Sequence, residues 1–367
     1  MTAARSHIPL PPEKGEIPQG KAAHLLVIRL SAMGDVAMTF PVLKVLTETY
    51  PQLKITVLTR SFFKPLFNLL NNIEVYEADI KGVHSGVIGL SRLAKELRDL
   101  EIDAVADLHD VLRSNILKSV FYFYGIPVQQ INKGRAEKKA LTSLKNKVFQ
   151  PLKSTHERYA EVFLNLDYPI DLNSYVPVSK LPIPEEIKNS TANDRLKWIG
   201  VAPFAQHPSK VYPLELMKTV LEKLSKKHRI FLFGGGKEES DALEDFAANF
   251  ENTSSVAGKL SFKKELALIS NLDAMLSMDS GNAHLAAIFG IPVVTLWGVT
   301  HPFAGFRAFN QPMENCLLPD LEKYPLIPTS VYGNKFPSGY EKVMETIAPE
   351  QVSQKVLEVM KVPRRKS

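Results

Sequence analysis

One cysteine, Cys316, stands in 367 residues, so neither an intramolecular disulfide nor a multi-cysteine metal cage can form, and nothing marks the chain for an oxidising compartment. No uninterrupted apolar run approaches the ~20 residues that a membrane-spanning helix needs. The stretch from Met1 to Lys21 is proline-rich and polar, without the charged-then-apolar order of a secretion signal. It reads as a flexible leader over 1–22, and the expected location is cytoplasmic. The chain also lacks a P-loop, an H-E-x-x-H helix and a G-x-S-x-G elbow, which removes the chemistries those motifs carry. Tandem repeats of solenoid period are missing as well.

What remains is an ordinary globular composition, 45% apolar and 23% charged, with enough chain for two domains. The net charge is +6, and the excess is concentrated. Between residues 133 and 147, Lys133, Arg135, Lys138, Lys139, Lys145 and Lys147 face Glu137 alone, and a second basic run, Lys361-Val362-Pro363-Arg364-Arg365-Lys366, lies near the carboxyl end. Nucleic acid, a phosphorylated glycolipid and an anionic membrane surface are all partners that such charge attracts; a solvated helix face is the plainer reading.

One punctuation occurs twice: an apolar strand breaking into a small-residue turn with aspartate, then a helix. The first copy is His24 to Leu30 followed by Ser31-Ala32-Met33-Gly34-Asp35; the second is Leu272 to Met278 followed by Asp279-Ser280-Gly281-Asn282-Ala283-His284. In open α/β sheets ligands bind beyond the carboxyl ends of strands, where helix N-termini present free amides. Strands are predicted at 24–30, 54–59, 73–77 and 103–108, then at 198–202, 229–233, 273–278 and 292–297, alternating with helical-period segments. The implied architecture is α/β, two open parallel-sheet domains at 23–168 and 198–345, with a proline-rich, polar linker over 169–197 acting as hinge. The segment 301–340 holds six prolines and reads as a long irregular excursion; a helix opened by Pro349, within a terminal segment 346–367, caps one of the halves.

Asp35 sits where the first helix begins, so its carboxylate either caps that helix or stands ready to take a proton from an attacking hydroxyl. Asp279, Ser280 and Gly281 combine a carboxylate, a hydroxyl and helix-start amides, which suits a diphosphate bearing a sugar. His284 adds a donor one turn in, or is satisfied within the helix. Lys210, on the loop after strand 198–202, can neutralise phosphate. Gly235, in Gly234-Gly235-Gly236, admits a ligand or only turns the chain. Asp107-Leu108-His109-Asp110 invites a metal site, but ligands so close on one loop seldom suffice without other His or carboxylate partners, so no metal is expected.

These segments together resemble glycosyltransferase family 9, the ADP-heptose:lipopolysaccharide heptosyltransferases, from about residue 24 to 360. The markers are Ser31, Gly34, Asp35 and Pro41; the Asp107-Leu108 strand end; Lys210-Val211-Tyr212-Pro213; and Met278-Asp279-Ser280-Gly281 with His284, ahead of Gly290-Ile291-Pro292. The resemblance implies a GT-B fold of two Rossmann-like domains facing a cleft, and inverting, metal-independent transfer without a cofactor. Asp35 would be the general base. Lys210, Asp279, Ser280, Gly281, His284, Gln206 and Gly235 would hold the nucleotide-sugar donor, ADP-heptose. Arg60, Lys64, Arg113, Lys133, Arg135 and Lys138 would face an anionic glycolipid acceptor of the lipid A-Kdo type, at the inner face of the cytoplasmic membrane, with no nucleic acid involved. Three departures stand out: Ala205 and Gln206 where relatives carry Ser or Thr, Tyr212 for Trp, and the unmatched 301–340 segment. The competing readings are a GT-B transferase or epimerase using UDP- or GDP-sugars, and a non-catalytic sugar-nucleotide or lipid-binding module.

Overall fold

The computed structural model describes residues 23–191 and 195–362; the leader, residues 192–194 and the Arg364-Arg365-Lys366 end lie outside them. Two compact units emerge, one of residues up to Lys133 with Thr155–Tyr175, the other of Gly134–Ser154 with everything from Val176.

The first unit contains β1 (His24–Ile28), β2 (Lys54–Thr59), β3 (Ile73–Glu77), β4 (Ala104–Asp107) and β5 (Val128–Gln130). All pair in parallel, in the order β3-β2-β1-β4-β5. β1 is buried along its whole length, as a central strand covered on both faces must be, which is why it reads as one apolar run and not as an alternation. The chain builds outward from β1 through β2 to β3, then returns to the other side of β1 for β4. The switch point therefore lies between the carboxyl ends of β1 and β4, where Ile28 is in register with Asp107.

The second unit repeats the plan with β6 (Lys197–Ala202), β7 (His228–Leu232), β8 (Thr253–Ser255), β9 (Ala274–Met278), β10 (Val293–Leu296) and β11 (Cys316–Leu317). The order is β11-β10-β9-β6-β7-β8, again parallel, so its switch point lies between β6 and β9, with Ala202 in register with Ser277. Its core joins Ile199, Val201, Leu276 and Met278 to Met217, Val220, Leu221 and Leu224 of helix Leu214–Ser225. The final helix Pro349–Val359 packs on that helix and on β9 and β10, burying Val352 and Val356. It caps the second unit.

Two expected boundaries differ. Residues 134–154 leave the first sheet after β5 and belong to the second unit, held by the Leu152 amide on the Phe303 carbonyl (2.9 Å) and the Lys147 ammonium on the Pro328 carbonyl (2.6 Å). Phe149 packs there on His301 and Phe303, with centroids 5.1 and 5.0 Å apart. The linker is also more structured than its composition suggests. Its part from Val176 joins the second unit through the Val178 amide on the Ile288 carbonyl and contains helix Glu185–Thr191.

Candidate functional site

At the first unit's switch point, helix Met33–Thr49 starts directly after β1, and Asp35 lies in its first turn. The Asp35 carboxylate is paired with Arg29, Oδ2 to Nη2 at 2.6 Å, with Asp35 one-third exposed and Arg29 nearly buried. Arg29 itself is fixed from the neighbouring strand, since its Nη1 donates to the Leu108 carbonyl at 2.6 Å just beyond β4. Tyr159 lies below the guanidinium, 6.0 Å from ring centroid to Cζ, and its hydroxyl reaches the Asp35 carbonyl at 3.4 Å. The carboxylate thus faces a buried cation, with solvent on its open side.

Beside it, Asp107 is fully buried and folds its own loop: Oδ1 accepts the amides of His109 and Asp110, each at 2.9 Å. The Asp107-Leu108-His109-Asp110 sequence builds this loop brace. Among the described residues no three His, Cys, Asp or Glu side chains gather as metal ligands. Burial, with Arg29 and Lys133 nearby, pushes His109 down to about 3, so its imidazole is neutral at pH 7.

The second unit gathers its set at the ends of β6, β9 and β10. Asp279 follows β9, and its Oδ2 takes both the Lys210 ammonium at 2.8 Å and the Thr300 hydroxyl at 3.1 Å. Ser280 is the N-cap of helix Gly281–Ile288, and its hydroxyl is 3.1 Å from that of Ser277. His284 is buried one turn into the helix. Lys210 closes a short 3-10 turn, Pro208–Lys210, after β6. Removing both charges from water costs several kcal/mol per ion, so a pair this buried is a poor stabiliser (about 0 net) but a strong local field. Lys64 and Glu77, 2.6 Å apart and both nearly half exposed, form the opposite case, worth at most ~1 kcal/mol.

The 301–340 excursion supports this site. Gly333 has φ +84°, and a Cβ there would lie 2.7 Å from Cγ and Cδ of Lys210. The Ser209 hydroxyl donates to the Gly333 carbonyl at 2.5 Å. The lysine stem thus lies across a backbone that only glycine leaves open. Tyr212, in the place of the expected Trp, is buried, with its hydroxyl on the Ile347 carbonyl at 2.6 Å.

Among the other predicted residues, Gln206 is exposed on the loop after β6. Gly235 is exposed, but its amide is already donated to Glu239 Oε2 at 2.8 Å. Arg60 donates to the Leu30 carbonyl at 3.1 Å and lies 4.8 Å from the Phe63 ring. Arg113 is exposed, and Lys133 donates to the Asp110 carbonyl at 3.0 Å. Arg135 and Lys138 lie on helix Arg135–Leu141 of the second unit, where Lys138 is buried with its ammonium 4.2 Å from the Phe306 ring. Lys138 is thereby a packing residue, not part of a solvated face. Arg29, Thr300 and Gly333 are the residues that sequence reasoning missed. Arg29 left a signal, a cation ending a fully apolar strand; Thr300 and Gly333 left none.

The description of glycosyltransferase family 9 (heptosyltransferase) matches residues 90–329. The chain is 27% identical over 289 residues to the lipopolysaccharide core heptosyltransferase OpsX of Haemophilus influenzae, across 76% of this chain and 80% of that one. To lipopolysaccharide heptosyltransferase 2 of Escherichia coli it is 28% identical over 302 residues, across 76% and 83%. A solved glycosyl transferase of family 9 from Veillonella parvula superposes with a TM-score of 0.71 at 20% identity, covering 92% of this chain and 97% of that one. The E. coli ADP-heptose heptosyltransferase II gives 0.63 at 22% identity, covering 92% and 98%. Both carry the fold seen here, the two parallel-sheet domains of the GT-B class. With more than half of its length inside the matched span, this chain belongs to glycosyltransferase family 9 and is a glycosyltransferase.

Proposed function

We propose that the enzyme transfers heptose from ADP-heptose to the inner core of lipopolysaccharide, on a lipid A-Kdo type acceptor borne at the inner face of the cytoplasmic membrane. The carrying observation is the Lys210–Asp279 pair, Asp279 buried and Lys210 mostly so, beside the Ser280 helix start, a preset cation and amide set of the kind a departing diphosphate needs. The names of the relatives, lipopolysaccharide core heptosyltransferase and lipopolysaccharide heptosyltransferase 2, support the sugar and the acceptor. A solved E. coli heptosyltransferase with ADP supports the nucleotide; it superposes with a TM-score of 0.61 at 17% identity, covering 92% of this chain and 99% of that one.

In this reading Asp35 accepts the proton of the acceptor hydroxyl while that oxygen attacks the anomeric carbon from the face opposite the diphosphate. The anomeric C–O bond breaks, configuration inverts, and ADP leaves with its new charge met by Lys210 and the amides of Ser280 and Gly281. Asp279 holds Lys210 in place and offers its carboxylate to sugar hydroxyls; His284 serves the phosphate end. Arg29 orients the Asp35 carboxylate. No metal is required by these roles.

Calorimetric titration with ADP, UDP and GDP, each with and without EDTA, tests the donor half. ADP-selective binding that survives EDTA is expected, followed by transfer from ADP-heptose to a truncated lipopolysaccharide. Preference for UDP or GDP would replace the donor, and loss of binding in EDTA would remove the metal-independent mechanism.

A further inference from the structure

Beyond the side chains of the two clusters, two neighbouring helices of the first unit present an unusual surface. Helix Leu112–Phe123 carries two apolar stripes. Ser114, Leu117 and Phe121 form the buried one. Leu112, Ile116, Val120 and Phe123 recur at i, i+4, i+8 and i+11, a continuous line on a second flank, and its two ends are 76% and 82% exposed. The lower part of that line, with Tyr124, lines a shallow surface cleft. Helix Gly86–Arg98 packs beside it, with Val87 and Ile88 67% and 82% exposed. Both helices follow the carboxyl ends of parallel strands, β3 and β4, so Val87, Ile88 and Leu112 all start from that edge of the sheet.

Charge decides what would cover this face. The two helices carry Arg92, Lys95, Arg98, Arg113 and Lys118 against one carboxylate, Glu96. Glu96 is already engaged by the Tyr76 hydroxyl at 2.6 Å and by His84 Nε2 at 3.0 Å. Arg92, Lys95 and Arg113 are exposed, and the Arg98 guanidinium lies 4.9 Å from the centroid of the Tyr124 ring. Protruding aliphatic and aromatic side chains interleaved with long cations match the boundary layer of an anionic bilayer, where apolar groups enter the acyl edge and cations reach lipid phosphates.

We propose that this face docks the enzyme on an anionic membrane, with Val87, Ile88, Leu112 and Phe123 inserted and Arg92, Lys95 and Arg113 on lipid phosphates. The inference deepens the membrane-borne acceptor of the proposed function, but vesicle binding requires neither donor nor acceptor, so either can fail alone.

The test is co-sedimentation of the full chain with vesicles of phosphatidylcholine, with and without phosphatidylglycerol. Binding to the anionic vesicles only is expected, weakened by high salt. The pair Ile88→Ser and Phe123→Ser should lower the vesicle partition about tenfold or more, and the pair Arg92→Glu and Lys95→Glu should remove the preference for phosphatidylglycerol. Both variants should melt with the parent and keep full turnover on a water-soluble acceptor. Absence of vesicle binding by the parent would overturn the proposal. So would binding that ignores both variants, which would move the contact elsewhere, for instance to the 133–147 segment. Self-association of the parent that Phe123→Ser abolishes would overturn it too, by making the face an interface between copies.

Discussion

Asp35 and Lys210 are both charged residues at strand ends, yet their surroundings assign them different work. Asp35 keeps an open side toward solvent while Arg29 holds the other, which is what the proton acceptor of the proposed mechanism needs. Asp35→Asn should abolish transfer and leave the ADP dissociation constant within about twofold, because an amide keeps the shape but cannot take the proton. Lys210→Ala should weaken ADP binding by roughly tenfold or more, the ~1.5–3 kcal/mol of a charge-assisted contact. It should also lower stability, because Asp279 would be left buried without its cation. Titration calorimetry and turnover on both variants separate the roles; equal loss of ADP affinity in the two would contradict them. Arg29 offers a third test. Arg29→Lys should retain more kcat than Arg29→Met at similar donor affinity, since a cation at this buried position still faces Asp35; equal kcat in the two would remove its orienting role.

Among the elements, the excursion 301–340 is the one whose function is least visible in its sequence. It buries Ala304, Ile327, Thr329 and Ser330 and brings Gly333 against the Lys210 stem. Gly333→Ala should therefore raise the donor KM several-fold with a smaller effect on kcat, because the new methyl strains a φ of +84° and displaces the lysine. Unchanged donor KM in a folded variant would show that the lysine moves aside without cost. The same contrast explains what could be read in advance. β1, β2, β4, β6, β9 and β10 are rich in apolar and β-branched residues and stand out as strands, and the ends of β1 and β9 located Asp35 and Asp279. β5, β8 and β11 are edge strands of two or three residues, too short to show a period, and Gln129, Gln130, Thr253 and Ser254 leave β5 and β8 without an apolar signature. Helix Arg135–Leu141 shows only charge in sequence, because the packing of Lys138 on Phe306 joins residues far apart in the chain. Thr300 and Gly333 were invisible for the same reason: each acts through a contact that exists only once the second sheet has formed.

At the scale of the whole molecule, buried titratable groups give the two units different acid responses. Burial holds His109, in the first unit, down to about 3, and burial with Lys147 nearby holds His301, in the second, down to about 4. The unfolded chain protonates such a histidine below about 6.5 while the fold does not, so the stability each contributes is complete above that pH and is lost as pH falls. Among the described residues of the first unit no raised carboxylate opposes the effect, and His24, lowered by burial, adds to it. In the second unit Glu265 is raised by burial to about 7. The fold keeps its proton where the unfolded chain, with an ordinary glutamate, has released it, so its contribution grows as pH falls from about 7 to 4.5. Between 6.5 and 4.5 one proton gained by the unfolded chain at His301 is matched by one held in the fold at Glu265. The second unit should be nearly flat there, while the first loses about 1.4 kcal/mol per pH unit, a large share of a domain's ~5–15 kcal/mol. Calorimetric melts at pH 7.5 and pH 5 should accordingly show one transition moving down by several degrees and the other staying. His109→Asn should make the moving transition move less, His24 accounting for what is left, and Glu265→Gln should set the stationary one moving, since among the described residues of that unit it removes the raised carboxylate that offsets His301. Two transitions that shift together in the parent, or a Glu265→Gln protein whose second transition still ignores acid, would show that these buried groups are not what sets the acid response of the two units.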